Sequence, residues 1–564
     1  MSGGWDESVD FLVVGSGAAG MTGALVAHER GARTLVIEKS AFYGGNTALS
    51  GGALWVPDNH LMREQGIDDS REEGLRYLET VTAGSSSSER LRRYVETAPE
   101  MVRFLDEHSH VHFDNVPEYP DYFPEAEGGK AGGRSIEPQV FEALDLGETF
   151  AEQRMLIGYS RMMKFLAITI NESRVLLGGR RAALGVIARI AFQYITNWRA
   201  RLRGMGNTRL TLGRALTARL RYSLKDRGVP LWLETPLREL IVEHGRVVGA
   251  LVEREGRSLR IRAERGILVA SGGFERNAAL RREHQPQPIG ADWTVGSESN
   301  VGDAIAIGQK VGASFDLMDE AWWTPVFLPP TMDRPTPIIF EKGLPGSVIV
   351  NKSGRRFMNE ASPYNEVVKQ MYAAHEEASS IPAYFVFDAG YRKRHPCGPV
   401  RPGYSQPDWS LAPVLRDTFL SRSKTLLKLA NKLGLDAEQF VAAVERFNEQ
   451  ARRGVDEDFG RGESSNDRYY GDPSIKPNPC LAPLDTPPFY AVEVYPGDLG
   501  TKGGLRADND ARVLTSSNEP IPGLYAAGNC SASVMGRTYP GAGATIAPAM
   551  TFGYLAALHA TEPA

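Results

Sequence analysis

An unbroken apolar run, Phe11-Leu12-Val13-Val14, leads directly into Gly15-Ser16-Gly17-Ala18-Ala19-Gly20. No other segment constrains the fold as much. Four consecutive apolar residues read as a strand buried on both faces, as parallel sheets require. Met21–Arg30 is compatible with a helix, and Gly31 stops it. Thr34–Glu38 reads as a second strand ending on an acid, 18 positions after Gly20. Strand, glycine loop, helix, strand and acid together predict a dinucleotide-binding βαβ unit. Its glycines permit a tight turn and close backbone approach, and Ser16, Ala18 and Ala19 complete the loop. The helix N-terminus faces a pyrophosphate. Glu38 accepts from ribose hydroxyls, with Lys39 and Ser40 beside it. The glycine pattern alone does not separate one dinucleotide from another.

A chain of 564 residues is too long for one compact core, so two or more domains are expected. The net charge of −5 gives no global case for nucleic acid as a partner. Cys397, Cys480 and Cys530 are scattered without C-x-x-C spacing. That argues against a disulfide framework or a metal site and fits a reducing compartment, the cytoplasm. Met1–Asp10 is short and polar and does not read as a secretory signal. No stretch of about 18 uncharged apolar residues is present to span a bilayer.

A second glycine-rich stretch follows the acid-terminated strand: Gly44-Gly45-Asn46-Thr47, then Ser50-Gly51-Gly52. With the first loop it resembles the FAD-binding fold of the succinate dehydrogenase/fumarate reductase flavoprotein superfamily. Arg265–Ala270 running into Ser271-Gly272-Gly273-Phe274 resembles the strand that returns to the cofactor there. Leu524-Tyr525-Ala526-Ala527-Gly528-Asn529 resembles the C-terminal signature at the isoalloxazine and ribityl, continued by Ala544-Thr545-Ile546. The resemblance implies FAD, held non-covalently since no histidine or cysteine attachment motif is evident, with Leu237 touching its adenine side. The expected architecture is α/β. A discontinuous Rossmann-like FAD-binding domain (1–140, 228–290 and 485–564) would carry a helical basic insert at 141–227. An inserted α+β substrate domain would occupy 291–484.

From Ser173 to Lys225 there is no Asp or Glu, against twelve Lys and Arg. Leu184, Ile187, Ala191, Ile195 and Trp198 fall on one helical face, with Arg181, Arg189, Arg199 and Arg203 to one side. Two readings stand. One is an interfacial helix at 174–203 on anionic lipid, placing the chain peripherally on the inner face of the cell membrane. The other is a helix packed on its own protein with solvated arginines. Nucleic acid is set aside, because no aromatics interleave on the basic side.

The chain resembles the 3-ketosteroid Δ1-dehydrogenase family from end to end. The resemblance is carried by Tyr122-Phe123-Pro124-Glu125, Gly132-Gly133-Arg134-Ser135-Ile136-Glu137-Pro138, Asp319-Glu320-Ala321-Trp322-Trp323, and Arg356-Phe357-Met358-Asn359-Glu360 with Pro363-Tyr364. Further matches are Asp467-Arg468-Tyr469-Tyr470-Gly471-Asp472-Pro473, Pro496-Gly497-Asp498-Leu499-Gly500-Thr501-Lys502-Gly503-Gly504, and Thr538-Tyr539-Pro540-Gly541. It implies oxidation of a 3-ketosteroid at C1–C2 and an external electron acceptor; the lipid-surface reading of the basic insert extends the substrate to one with a long C17 side chain. The site it implies is Tyr122, Tyr364, Tyr539 and Gly543. Tyr539 and the Gly543 N–H would hold the C3 oxygen, and Tyr364, assisted by Tyr122, would take the C2 proton. The competing readings are a Δ4-dehydrogenase, a fumarate-reductase-like enzyme, or a non-catalytic flavin-fold protein docked on membranes. A dicarboxylate would need cations where this chain has tyrosines, and a scaffold would have no use for all three tyrosines together with the glycine loops.

Overall fold

The computed structural model describes residues 4–155, 167–178, 180–198 and 207–563. Strand β1 (Glu7–Val14) is exposed where it begins and fully buried over Phe11–Val14, where it delivers the chain to the glycine loop. It pairs in parallel with β2 (Thr34–Ile37) on one side and with Arg257–Val269 on the other. Leu231–Trp232 extends the sheet beyond β2; Pro520–Ala526 and then Arg512–Leu514 extend it beyond Arg257–Val269. Segments more than 480 residues apart therefore share one layer. The antiparallel strands Leu237–Glu243 and Arg246–Arg254 fold back onto Arg257–Val269.

Helix α1 (Ala18–Glu29) and the C-terminal helix Ile546–Ala560 pack on one another in the same core. Leu212–Asp226 joins them through Leu216, Leu220 and Leu224. This helix lies inside the acid-free stretch, yet its arginines are not a solvated face. Arg219 is buried and donates to the carbonyls of Gln139 at 2.9 Å, Val140 at 2.9 Å and His110 at 2.6 Å. Part of the acid depletion thus reflects guanidinium groups serving backbone acceptors in the core.

The helix Arg180–Thr196 differs. Ile190 is buried, while Leu184 is 65% and Ile195 64% exposed. Ile187, Ala191, Phe192 and Trp198 are exposed as well. Arg189 is ion-paired with Glu172 at 2.5 Å, and Glu172 also takes Arg209 at 2.7 Å. Arg199, Arg203 and the side chain of Arg181 lie outside the described residues. Among the described residues no helix is long and apolar enough to cross a membrane.

A second, antiparallel sheet orders Thr336–Pro337, Ala321–Phe327, Phe489–Thr501, Ala383–Phe387 and Ser347–Val350, with Ser421–Ser423 also on Phe489–Thr501. Phe489–Thr501 lies just past the boundary expected at 485. It is the central strand of this second sheet and carries the chain back towards the first. The fold is thus mixed α/β, a sheet with a parallel centre beside an antiparallel one, and the candidate site forms where they meet.

Candidate active site

The glycine loop is shaped by contact, not by flexibility. Gly15 has φ +108°, and a Cβ there would stand 2.3 Å from the Ala270 carbonyl oxygen. The chain can therefore turn only at glycine, flush against the end of the neighbouring strand. Glu38 accepts from Ser16 N (3.1 Å), Ser16 Oγ (2.7 Å) and Ser40 N (2.9 Å). Thr47 Oγ1 accepts from Ala18 N at 3.1 Å, and Ser16 Oγ from Gly44 N at 3.1 Å, so the two glycine loops are tied together. Ser50 bonds the Thr47 carbonyl (2.7 Å) and Gly52 N (3.0 Å); Gly51 is exposed at the rim. Lys39 is ion-paired with Asp303. Leu237 opens its strand two residues after Thr235, whose N–H donates to the Glu38 carbonyl at 2.8 Å.

These residues fit an extended dinucleotide. Helix α1 is preceded by Gly17, which offers no side-chain cap; Ala18 N is taken by Thr47, and the N–H groups of Ala19 and Gly20 are left for phosphate oxygens. Ser271 Oγ is buried without a partner beside Ala270 and Gly272. The C-terminal helix also begins uncapped at Thr545, next to Ala544 and Ile546, and Gly528 and Asn529 line the same cavity.

Tyr122, Tyr364 and Tyr539 come from three distant segments and meet. Their rings lie 5.4 Å (122–364), 5.3 Å (122–539) and 5.3 Å (364–539) apart, edge-on or tilted, and all three are buried. Tyr122 donates to the Tyr364 hydroxyl at 2.9 Å, and Thr545 Oγ1 donates to the Tyr539 hydroxyl at 3.1 Å. Burial pushes all three phenols up, Tyr122 and Tyr364 far above 10, and the bond from Tyr122 pulls Tyr364 back in part. Gly543, four residues after Tyr539, is buried at φ +99°, where a Cβ would stand 2.5 Å from Leu54 backbone. Its N–H has no acceptor among the described residues. A buried, unspent backbone donor is uncommon, and it is what an oxyanion site requires.

Buried charges pin each tyrosine-bearing loop. Arg134 forks to Asp121 (2.8 Å) and Asp69 (2.7 Å), and Asp121 also accepts from Trp55 Nε1 at 2.7 Å, fixing the turn that presents Tyr122. Arg356 bridges Glu360 and Asp456, both at 2.8 Å, just ahead of Pro363-Tyr364. Despite burial, Arg356 holds the Glu360 carboxyl down to about 2. Lys502 donates to the Thr538 carbonyl at 2.6 Å, and the Tyr77 hydroxyl to the Pro540 carbonyl at 2.5 Å, on either side of Tyr539. Trp322 packs 4.8 Å from the Tyr539 ring and donates to Asn529 at 3.2 Å.

Sequence reasoning missed Glu275. It is fully buried and accepts from Asn46 (2.8 Å) and Asn300 (2.7 Å), so it joins the second glycine loop to the far side of the site. Its only signal was a carboxylate directly after Gly272-Gly273-Phe274. Lys502 was missed likewise, a lone cation inside a glycine-rich run.

A family model described as an FAD binding domain matches residues 10–546. Over 570 aligned residues the chain is 44% identical to the 3-oxosteroid 1-dehydrogenase of Mycobacterium tuberculosis, covering 99% of each. It is 43% identical over 563 residues to the enzyme of that name from Mycolicibacterium smegmatis, covering 98% of this chain and 97% of that one. The crystal structure of 3-ketosteroid delta1-dehydrogenase from Sterolibacterium denitrificans in complex with 1,4-androstadiene-3,17-dione superposes with a TM-score of 0.95 at 42% identity, covering 98% of this chain and 99% of that one. The chain belongs to the 3-oxosteroid 1-dehydrogenases, FAD-dependent oxidoreductases built on this fold.

Proposed function

We propose that this chain dehydrogenates a 3-ketosteroid across C1–C2, with Tyr364 taking the C2 proton and Tyr539 and the Gly543 N–H holding the C3 oxygen. The observation that carries this is the convergence of three buried phenols beside an unspent backbone donor. A proton alpha to a ketone is too weak an acid for an ordinary base in water. Two donors on the ketone oxygen stabilise the charge that develops there, about 2.7–4 kcal/mol for a single such donor in a dry site. FAD, when bound, supplies the two-electron acceptor for the hydrogen leaving C1. The chain's own residues hold it between the two glycine loops and the C-terminal helix, and exclude water with Trp55, Trp322 and the tyrosine rings. An external acceptor then restores the oxidised cofactor. A dicarboxylate substrate is disfavoured, because the groups that meet here are neutral phenols.

Tyr122 acts through Tyr364. Its hydrogen bond favours the Tyr364 phenolate and so lowers the pH at which the base is available. Because burial places the Tyr364 phenol above 10, the proton-abstraction rate is expected to rise with pH throughout the range from 7 to 10. In Tyr122→Phe that rise moves further alkaline. Single-turnover flavin reduction against pH measures it; an unshifted profile in Tyr122→Phe removes the assisting role.

The exposed apolar face of Arg180–Thr196 is proposed to seat the enzyme on anionic lipid, so that an apolar sterone, long C17 side chain included, enters without crossing water. Support comes from its large exposed side chains and from the absence of acids in its own sequence, Ser173 to Lys225. Deleting 176–203 should abolish co-sedimentation with phosphatidylserine-containing liposomes while FAD stays bound. Unchanged co-sedimentation refutes the lipid role.

A further inference from the structure

Lys502 is fully buried. Its ammonium donates to the Thr538 carbonyl and lies 4.2 Å from the centroid of the Trp322 ring. No carboxylate among the described residues comes within ion-pair distance of it. Glu320, the nearest acid in effect, is already engaged by Arg537 at 3.0 Å and by Trp323 Nε1 at 3.2 Å. Lys502 shares a cavity with Gly528, Asn529, Thr545 and Pro548, the segment expected to meet the isoalloxazine. That cavity also receives the uncapped N-terminus of the 15-residue helix Ile546–Ala560. Lys502, Arg90 and the positive end of a helix thus converge on one partly open cavity, an arrangement that favours negative charge there. Burial pushes the Lys502 ammonium down to about 7, so as it stands the site holds this charge reluctantly. Glu320 and Glu366 favour the charged form, while Lys369 and Arg537 oppose it.

We infer that Lys502 is the counter-ion for the negative charge that FAD acquires on reduction, and that it thereby sets the reduction potential of the bound cofactor. The balance is simple. The hydrogen leaving C1 brings one proton and two electrons to a neutral ring system, which gains one negative charge. The C2 proton goes to the Tyr364 side and does not cancel that charge. Lys502 transfers nothing; its ammonium lies beside the charge. The inference rests on the FAD assignment and is independent of which ketone is oxidised.

The test needs no steroid. Purified holoenzyme, Lys502→Met, Lys502→Gln and Lys502→Arg are titrated with sulfite, which adds to oxidised flavin and leaves a negative charge on it, and are equilibrated with redox dyes. Both neutral variants should bind sulfite at least tenfold more weakly. Their reduction equilibrium should shift at least tenfold towards oxidised FAD, about 30 mV for a two-electron couple. Lys502→Arg should stay near the unsubstituted enzyme. A neutral variant with unchanged potential and sulfite affinity overturns the inference, and so does an Arg variant that falls as far as Met. If the neutral variants lose FAD on purification, they are titrated with oxidised and with dithionite-reduced FAD. The inference then requires the reduced form to be weakened more; equal weakening overturns it.

Discussion

Tyr364→Phe is expected to lower the rate of flavin reduction by roughly 10²–10⁴-fold, the range for loss of a positioned acid–base group, with the bound FAD spectrum unchanged. The substitution removes one oxygen and leaves the ring. Packing against Tyr122 and Tyr539 therefore persists, and the buried network behind it, Arg356 with Glu360 and Asp456, is untouched. Position matters as much as chemistry. Tyr364 is the first residue of the helix Tyr364–Glu377, entered from Pro363, and the positive end of a helix favours a phenolate there. Together with the hydrogen bond from Tyr122, this opposes the desolvation that holds the phenol protonated. The loss should fall on the rate of proton abstraction, with steroid affinity nearly preserved. Anaerobic single-turnover mixing with a 3-ketosteroid separates the two. A rate within tenfold of the unsubstituted enzyme would mean the proton leaves by another route.

The local half of this architecture was legible in the residues themselves. Phe11–Val14 could only be a buried strand, and Gly15 could only be glycine, because the turn closes against the end of the adjacent strand. The tyrosines were legible only through resemblance. No periodicity distinguishes Tyr364 from a packing tyrosine, and their meeting depends on loops 242 residues apart. What stayed hidden shares one physical cause: buried polar groups are explained by partners that are distant in sequence. Glu275 is satisfied by Asn46, 229 positions earlier. Arg219, one of the twelve Lys and Arg of the acid-free stretch, has its three acceptors at the carbonyls of residues 110, 139 and 140. Charge depletion in a sequence cannot separate a solvated cation from one that serves backbone oxygens. Before Leu212 as well, Arg209 is buried and paired with Glu172.

Tyr539→Phe is expected to cost about 10²–10³-fold in kcat, the value of one donor in an oxyanion site, or about 2.7–4 kcal/mol. The Tyr539 oxygen already accepts a hydrogen bond, from Thr545 Oγ1 at 3.1 Å. Its own O–H is therefore the group left to give to a ketone. The bond from Thr545 pulls the phenol back towards its ordinary range against the upward push of burial, which makes it the better donor of the three. Phenylalanine would keep the ring in place through the edge contact with Trp322 at 4.8 Å. The Gly543 N–H remains in the variant, so catalysis should persist at the level one donor can support. Because base and donors act on one developing charge, removing both Tyr539 and Tyr364 hydroxyls should cost less than the product of the single losses. Single-turnover reduction of the two single variants and the double variant measures this directly. Strictly multiplicative losses would show that donor and base act independently, and a near-normal rate in Tyr539→Phe would leave Tyr539 to packing alone.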